Sequence, residues 1–254
     1  MTVLNWALLA LTIALVWILG STVLNAPGAI DRVDPLPRIG GPTGPLAPPD
    51  AAIASDPDVR GASRSVVRVL GTACGLGIEG SGWVAGPGLV VTNAHVLAGE
   101  DDTTVTTVDG ATLDATPVLY EPRDDLALLR IDASLPPLEI AVDPRPGTGG
   151  AVLGYPGNGA YSLAPARLGE TSAAIGENSY GNGPLDRSIA FLRGSVRSGN
   201  SGGPLVDSHG RAMATVFAAT TSGPRGGFAV PNAVVREALA RAGAAEVDTG
   251  PCTG

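Results

Sequence analysis

Positive charge is scarce in this chain. Its 254 residues carry 16 arginines and no lysine against 24 aspartates and glutamates, a formal net charge of -8, and the few basic residues form no stripe. That argues against nucleic acid as a partner, because neutralising phosphates takes clustered cations. Histidine and cysteine are scarcer still, with two of each. Neither cysteine has metal-like spacing around it, so a structural zinc site is hard to assemble, and no metal or organic cofactor is expected.

What is present is unevenly distributed. The stretch "VLNWALLALTIALVWILGSTVL", Val3 to Leu24, holds no charged side chain, and the first to follow is Asp31. As a helix of roughly 22 residues it spans about 33 Å, enough to cross a bilayer core. A cleaved signal peptide needs a positive n-region, and no Lys or Arg precedes the span. Residues 1–24 are therefore expected to be a single transmembrane anchor, with a cleaved signal peptide or the last of several spans as the alternatives. Arg32 and Arg38 beyond it sit among Asp31 and Asp34, so the positive-inside rule has little to count and export is not opposed. Residues 25–60 are rich in Pro and Gly and poor in large apolar side chains, which reads as an extended linker. If the remainder works outside the cytoplasm, a disulfide between Cys74 and Cys252 clamps the C-terminal tail to the start of the folded domain. The alternative is two unpaired buried thiols.

From residue 61 to 254 short runs rich in Val, Leu, Ile and Thr recur between Gly, Pro, Asn and Asp. They include "SVVRVL", "GLVVTNAHVL", "DTTVTTVDG", "DLALLRI", "LEIAV", "GAVLGYPG", "SIAFLR", "AMATVFAA" and "GGFAVP". Many short strands with frequent turn signals predict an all-β sandwich or barrel. Only Pro231 to Ala244, "PNAVVREALARAGA", has the apolar spacing of a helix. A proline-rich join from Val142 to Gly150 divides the strands into two similar sets.

Chemistry concentrates around "SGNSGGPL", Ser198 to Leu205. A serine hydroxyl in such a loop becomes a nucleophile only with a base in reach, itself oriented by a third group. Of the two histidines, His209 in "VDSHGR" reads as a solvated turn residue, whereas His95 in "VVTNAHVL" stands where a buried apolar strand gives way to a small-residue turn. A carboxylate to hold it is offered by "EPRDDLALLRID". Period-two alternation lets at most one of Asp124 and Asp125 point inward, and Asp125, adjoining "LALL", is the expected one.

"TNAHV", "DLALL" and "GNSGGPL" together resemble the three signature segments of trypsin-like serine proteases, in the family's order. "GSGWV", "LGYPG" and "GGFAVP" are similar to the bacterial HtrA-like branch. The anchor, linker and cysteine near each end of the domain resemble the membrane-anchored MarP-type proteases of actinobacteria. The resemblance implies an all-β fold of two packed six-stranded β-barrels with a C-terminal helix and the site in the cleft between them. It implies Ser201 as nucleophile, His95 as base and acid, Asp125 as the group that orients the imidazole, and the backbone N–H groups of Gly199 and Ser201 as the oxyanion hole. The implied function is a serine endopeptidase of the cell membrane, facing outward, with envelope or misfolded proteins as substrates.

In such a fold the pocket for the residue before the cut bond is walled near Ser195 to Ser198, Phe217 to Thr220 and Gly226 to Ala229. No acidic residue lies in "RGSVRSGN", so an Arg or Lys preference is not supported, and a small or medium apolar residue is expected there. Two other outcomes are open: a non-catalytic binding module that keeps the fold, and a latent protease controlled by the cysteine pair. Both predict a site that fails to react under some or all conditions.

Overall fold

The computed structural model describes Arg38–Ile39 and residues 46–252 except Ser222. The proposed membrane span lies outside the described residues, and among these no helix is long and apolar enough to cross a membrane. Strands dominate: β1 (Arg38–Ile39), β2 (Val66–Ala73), β3 (Leu76–Gly86), β4 (Leu89–Thr92), β5 (Thr104–Thr106), β6 (Thr112–Glu121), β7 (Leu126–Ile131), β8 (Gly149–Gly154), β9 (Ser162–Gly176), β10 (Leu185–Gly194), β11 (Pro204–Asp207), β12 (Ala212–Thr220) and β13 (Gly226–Pro231). The helices are α1 (Pro57–Gly61), α2 (Ala94–Leu97) and α3 (Asn232–Arg241).

The first half closes on itself as a six-stranded barrel in the order β2-β3-β4-β7-β6-β5, with β5 returning to β2. The second half is a seven-stranded sheet ordered β1-β12-β11-β8-β9-β10-β13, in which β13 pairs with β12 as well as with β10. It departs from the expected six strands by the parallel pairing of β1 with the end of β12.

Strand alternation explains why the first-half strands read as unbroken apolar runs. Val67, Val84, Val90 and Leu129 fill the barrel interior. Their neighbours Val66, Trp83, Val91 and Leu128 face the other way, into a cluster shared with Leu153, Val206, Phe217 and Phe228 of the second half. Both faces of these strands are therefore buried, which removes the polar alternation of a half-exposed sheet. Trp83 is fully buried there, and its indole N–H donates across the seam to Thr215 Oγ1 at 3.1 Å.

The folded region starts ahead of the expected boundary at residue 61. Asp50 and Asp56 accept hydrogen bonds from backbone N–H groups two residues on and open two short helical turns. Val59 is completely buried. The carbonyl of Pro48 accepts from Arg167, and that of Leu46 accepts from Arg193. "LEIAV" forms no strand; it is held by the bridge between Ile140 and Ala212 and by the Leu138 N–H donating to the Val84 carbonyl at 2.8 Å. The helix stops at Arg241, short of the expected Ala244.

The tip of the β2–β3 hairpin is gripped from two sides. Cys74 and Cys252 lie at bonding distance, 2.04 Å between sulfurs and 178 residues apart in sequence. The segment after α2 completes the grip: Asp102 accepts from the Thr72 N–H at 2.6 Å, and Gly99 N–H donates to the Thr249 carbonyl. Glu100 is buried over Gly71, where a side chain on the glycine would collide with its carboxyl group, and accepts from Thr103 at 2.5 Å. Burial pushes the Glu100 carboxyl up to about 7, aided by Asp102 and opposed by the Thr103 hydrogen bond.

Candidate active site

His95 sits in the single turn α2, directly after strand β4 has delivered the chain to the seam. Its ring is 3% exposed. The Nδ1 edge faces both oxygens of Asp125, at 2.7 and 2.9 Å, and the His95 backbone N–H donates to Oδ1 at 3.0 Å. Asn93 completes the grip by donating from its amide to the Asp125 carbonyl at 2.7 Å.

Asp125 points inward, as expected, but not by strand alternation. It occupies the left-handed region, with φ 54°, in the turn before β7. A non-glycine residue there costs about 1–3 kcal/mol and persists only where surrounding contacts fix it. Three hydrogen bonds to one residue supply that constraint. Burial works against charge on Asp125, yet its pairing with the His95 ring and backbone, and the nearby Arg187, hold the carboxyl below the usual carboxylate range. An ionised carboxylate only accepts, so Nδ1 is the nitrogen that donates, and in the neutral imidazole the lone pair then lies at Nε2.

Ser201 comes from the second half, in the loop between β10 and β11, and is fully buried. Its carbonyl accepts from the Ser81 N–H at 2.7 Å, while Gly202 N–H donates to Val216 at 2.8 Å. Gly199 and Gly202 have φ of 82° and 81°. A Cβ on Gly199 would lie 2.4 Å from the Tyr155 carbonyl oxygen, and one on Gly202 only 2.1 Å from that of Ser81. The glycines are thus required by both dihedral and space.

Ser81 is a residue that sequence reasoning missed. Its hydroxyl donates to the Gly199 carbonyl at 2.6 Å and accepts from the Tyr155 N–H at 2.9 Å, while its own carbonyl accepts from Thr92 Oγ1 at 2.8 Å. One serine therefore joins the strand before His95, the loop before Ser201 and the start of the second half. "GSGWV" marked the place, but only the folded chain brings those partners to it. Arg187 was missed as well. It stacks 4.5 Å over Phe217 and donates to the carbonyls of Asp124 and Glu177. Burial lowers its pKa, against the pull of Asp125 and Asp124.

Two atoms at the centre remain without a hydrogen-bond partner among the described residues: Nε2 of His95 and Oγ of Ser201, both buried. Nor do the backbone N–H groups of Gly199 and Ser201 donate to any described protein group. A base lone pair, a hydroxyl and two free donors are the parts that acyl transfer needs. Beside the loop lies a cavity of about 320 Å³ bounded by Gly194 to Arg197, Thr220, Arg225 and Gly226. It meets each of the three walls expected for the specificity pocket, at Ser195 to Arg197, at Thr220 and at Gly226, while Phe217 to Ala219 and Gly227 to Ala229 do not line it. His209 lies in the turn after β11, held by its N–H to Asp207 and away from this constellation. No group of three or more His, Cys, Asp or Glu among the described residues is arranged to hold a metal ion.

A sequence profile of the trypsin-like peptidase domain matches residues 80–214. The chain is 37% identical over 238 residues to the serine protease Rv3671c of Mycobacterium tuberculosis, a match covering 91% of this chain and 59% of that protein. The crystal structure of the Rv3671c protease in its active form superposes with a TM-score of 0.80 at 38% identity, covering 86% of this chain and 98% of that one. The HtrA-type protease AlgW with a tripeptide gives 0.65 at 27% identity over 72% of this chain and 61% of that one. The two-part β fold, the buried constellation and these matches agree, and the chain belongs to the trypsin-like peptidase family, as a serine protease of the HtrA-related type.

Proposed function

We propose that the protein is an endopeptidase that cuts peptide bonds through an acyl-enzyme on Ser201. The observation that carries this reading is the pairing of His95 with Asp125. It commits Nδ1, and leaves Nε2 and the Ser201 hydroxyl buried with no other described partner. In the first step Oγ attacks the scissile carbonyl carbon while Nε2 takes the hydroxyl proton, and the carbonyl π-pair moves onto oxygen. The N–H groups of Gly199 and Ser201 then stabilise that oxyanion. As the intermediate collapses, the C–N bond breaks and the imidazolium returns its proton to the leaving amine. Water, deprotonated by Nε2, repeats the sequence on the ester and frees Ser201. Asp125 stabilises the imidazolium at both stages.

The remaining parts of the reading are a membrane anchor at residues 1–24, a linker, and an outward-facing domain on which Cys74 and Cys252 form a stable disulfide. Protein or peptide substrates follow from the chemistry. The uncharged span and the contact between the two sulfurs support this placement.

The test is fluorophosphonate labelling of the full chain in detergent at neutral pH, beside Ser201→Ala. The wild type is expected to label and the variant not. A wild type that stays unlabelled under both oxidising and reducing conditions would favour the binding-module reading. Labelling confined to oxidising conditions would identify a latent protease.

A further inference from the structure

The cavity beside the nucleophile loop is lined differently from the apolar slot the sequence led us to expect. It is lined by Gly194, Ser195, Val196, Arg197, Thr220, Arg225 and Gly226. Val196 is the sole aliphatic side chain among them and is committed to β13, packing over Gly227 so closely that a Cβ there would fall 2.8 Å from it. The Thr220 hydroxyl is engaged with the backbone of Gly226 and Pro224, so what remains is the Ser195 hydroxyl and two guanidinium groups, with no carboxylate.

The two arginines differ. Arg197 reaches Ser162 Oγ at 3.5 Å and has its backbone tied to Asn200 in both directions, its N–H to the Asn200 side chain and its carbonyl to the Asn200 N–H. It therefore moves with the nucleophile loop. Arg225 is exposed, offers its carbonyl to the Gly194 N–H at 3.1 Å, and makes no side-chain hydrogen bond or ion pair among the described residues. Its five donors face no competing protein acceptor.

We infer that this cavity selects an acidic side chain at the residue preceding the cut bond, and that Arg225 is the specificity-determining residue. The inference rests on the peptidase reading above and adds the substrate class. An apolar side chain entering would strip water from two guanidinium groups and return no hydrogen bond. A lysine or arginine would meet like charge. A carboxylate gains charge-assisted, bidentate bonds to a planar guanidinium.

The experiment compares peptide substrates identical except for Glu, Gln, Leu or Arg before the cut bond, using the full chain in detergent. Active sites are counted by fluorophosphonate titration. Glu is expected to exceed Gln in kcat/KM about tenfold or more, with the margin shrinking as salt is raised because Arg225 is solvated. In Arg225→Ala the Glu to Leu ratio falls about ten- to a hundredfold, and in Arg225→Glu the ratio of Arg to Glu substrates rises. A titratable enzyme that prefers Leu or Arg, or an unchanged Glu to Leu ratio in Arg225→Ala, overturns the selectivity and leaves the peptidase intact. Protein that does not titrate overturns the peptidase reading, and this one with it.

Discussion

The two halves of the molecule build the site by different means. The first barrel positions His95 and Asp125 through side chains: a carboxylate with two short contacts to a ring, an asparagine amide on a carbonyl, and a strained backbone paid for by both. The second half positions Ser201 through backbone, with glycines at positive φ packed against carbonyl oxygens that tolerate no Cβ. The contrast follows from the chemistry. Proton transfer needs one imidazole in one tautomer, which side-chain partners can impose. Oxyanion binding, in the proposed mechanism, needs donors converging on a point, and in this loop those donors would be backbone N–H groups placed by backbone conformation.

The comparison is broken most severely in the first half. Asp125→Asn keeps the shape but presents an amide that can hold the imidazole in the wrong tautomer, so kcat is expected to drop about 10⁴-fold, measured by steady-state peptide hydrolysis with folding checked by circular dichroism. A loss below tenfold would mean that Asn93 and the backbone fix the ring on their own. In the second half, Gly199→Ala forces the peptide away from the Tyr155 carbonyl and removes one oxyanion donor. The expected loss is about 10²–10³ in kcat, with KM little changed, since the donor acts on charge that develops after binding.

The smallest effect separates stability from chemistry. The carboxyl of Glu100 sits at about 7 in the fold, against its ordinary 4.5. Between those values the folded protein holds a proton that the unfolded chain has lost, so stability is greatest below 4.5, falls as pH rises through 7, and is flat beyond. Glu100→Gln carries no such charge. The variant is expected to match the wild type near pH 4.5 and to exceed it at pH 8 by up to about 3 kcal/mol, read from urea melts at the two pH values. A wild type as stable at pH 8 as the variant would show that the carboxyl stays solvated.

The sequence made the proposed nucleophile, base and carboxylate legible because each stands in a short local motif, and the two-part β architecture legible because its strands are short and evenly punctuated. Less was visible where structure depends on distant partners. Strand β9, "SLAPARLGETSAAIG", carries too many small and polar residues to stand out, and it is held by pairing with β8 and β10. Asp125 was placed for a reason that does not apply, since a left-handed turn rather than strand alternation turns it inward. Arg225 and Arg187 acquire meaning only from the cavity and the ring they lie against. Residues 46–60 read as linker from their prolines, yet two aspartate caps and one buried valine attach them to the sheet.

The span of Ser81 in sequence has a consequence for how the protein comes into being. It is 118 residues from Gly199 and 74 from Tyr155, and it bonds to both. Contacts of such separation form late, because the intervening chain must first be ordered. A chain that has built its first barrel already holds its base and its carboxylate but has no nucleophile loop to use them on. The loop takes its working shape only when the halves dock onto the same serine. Neither half alone therefore holds a complete site: the parts meet only where both halves bond to one serine.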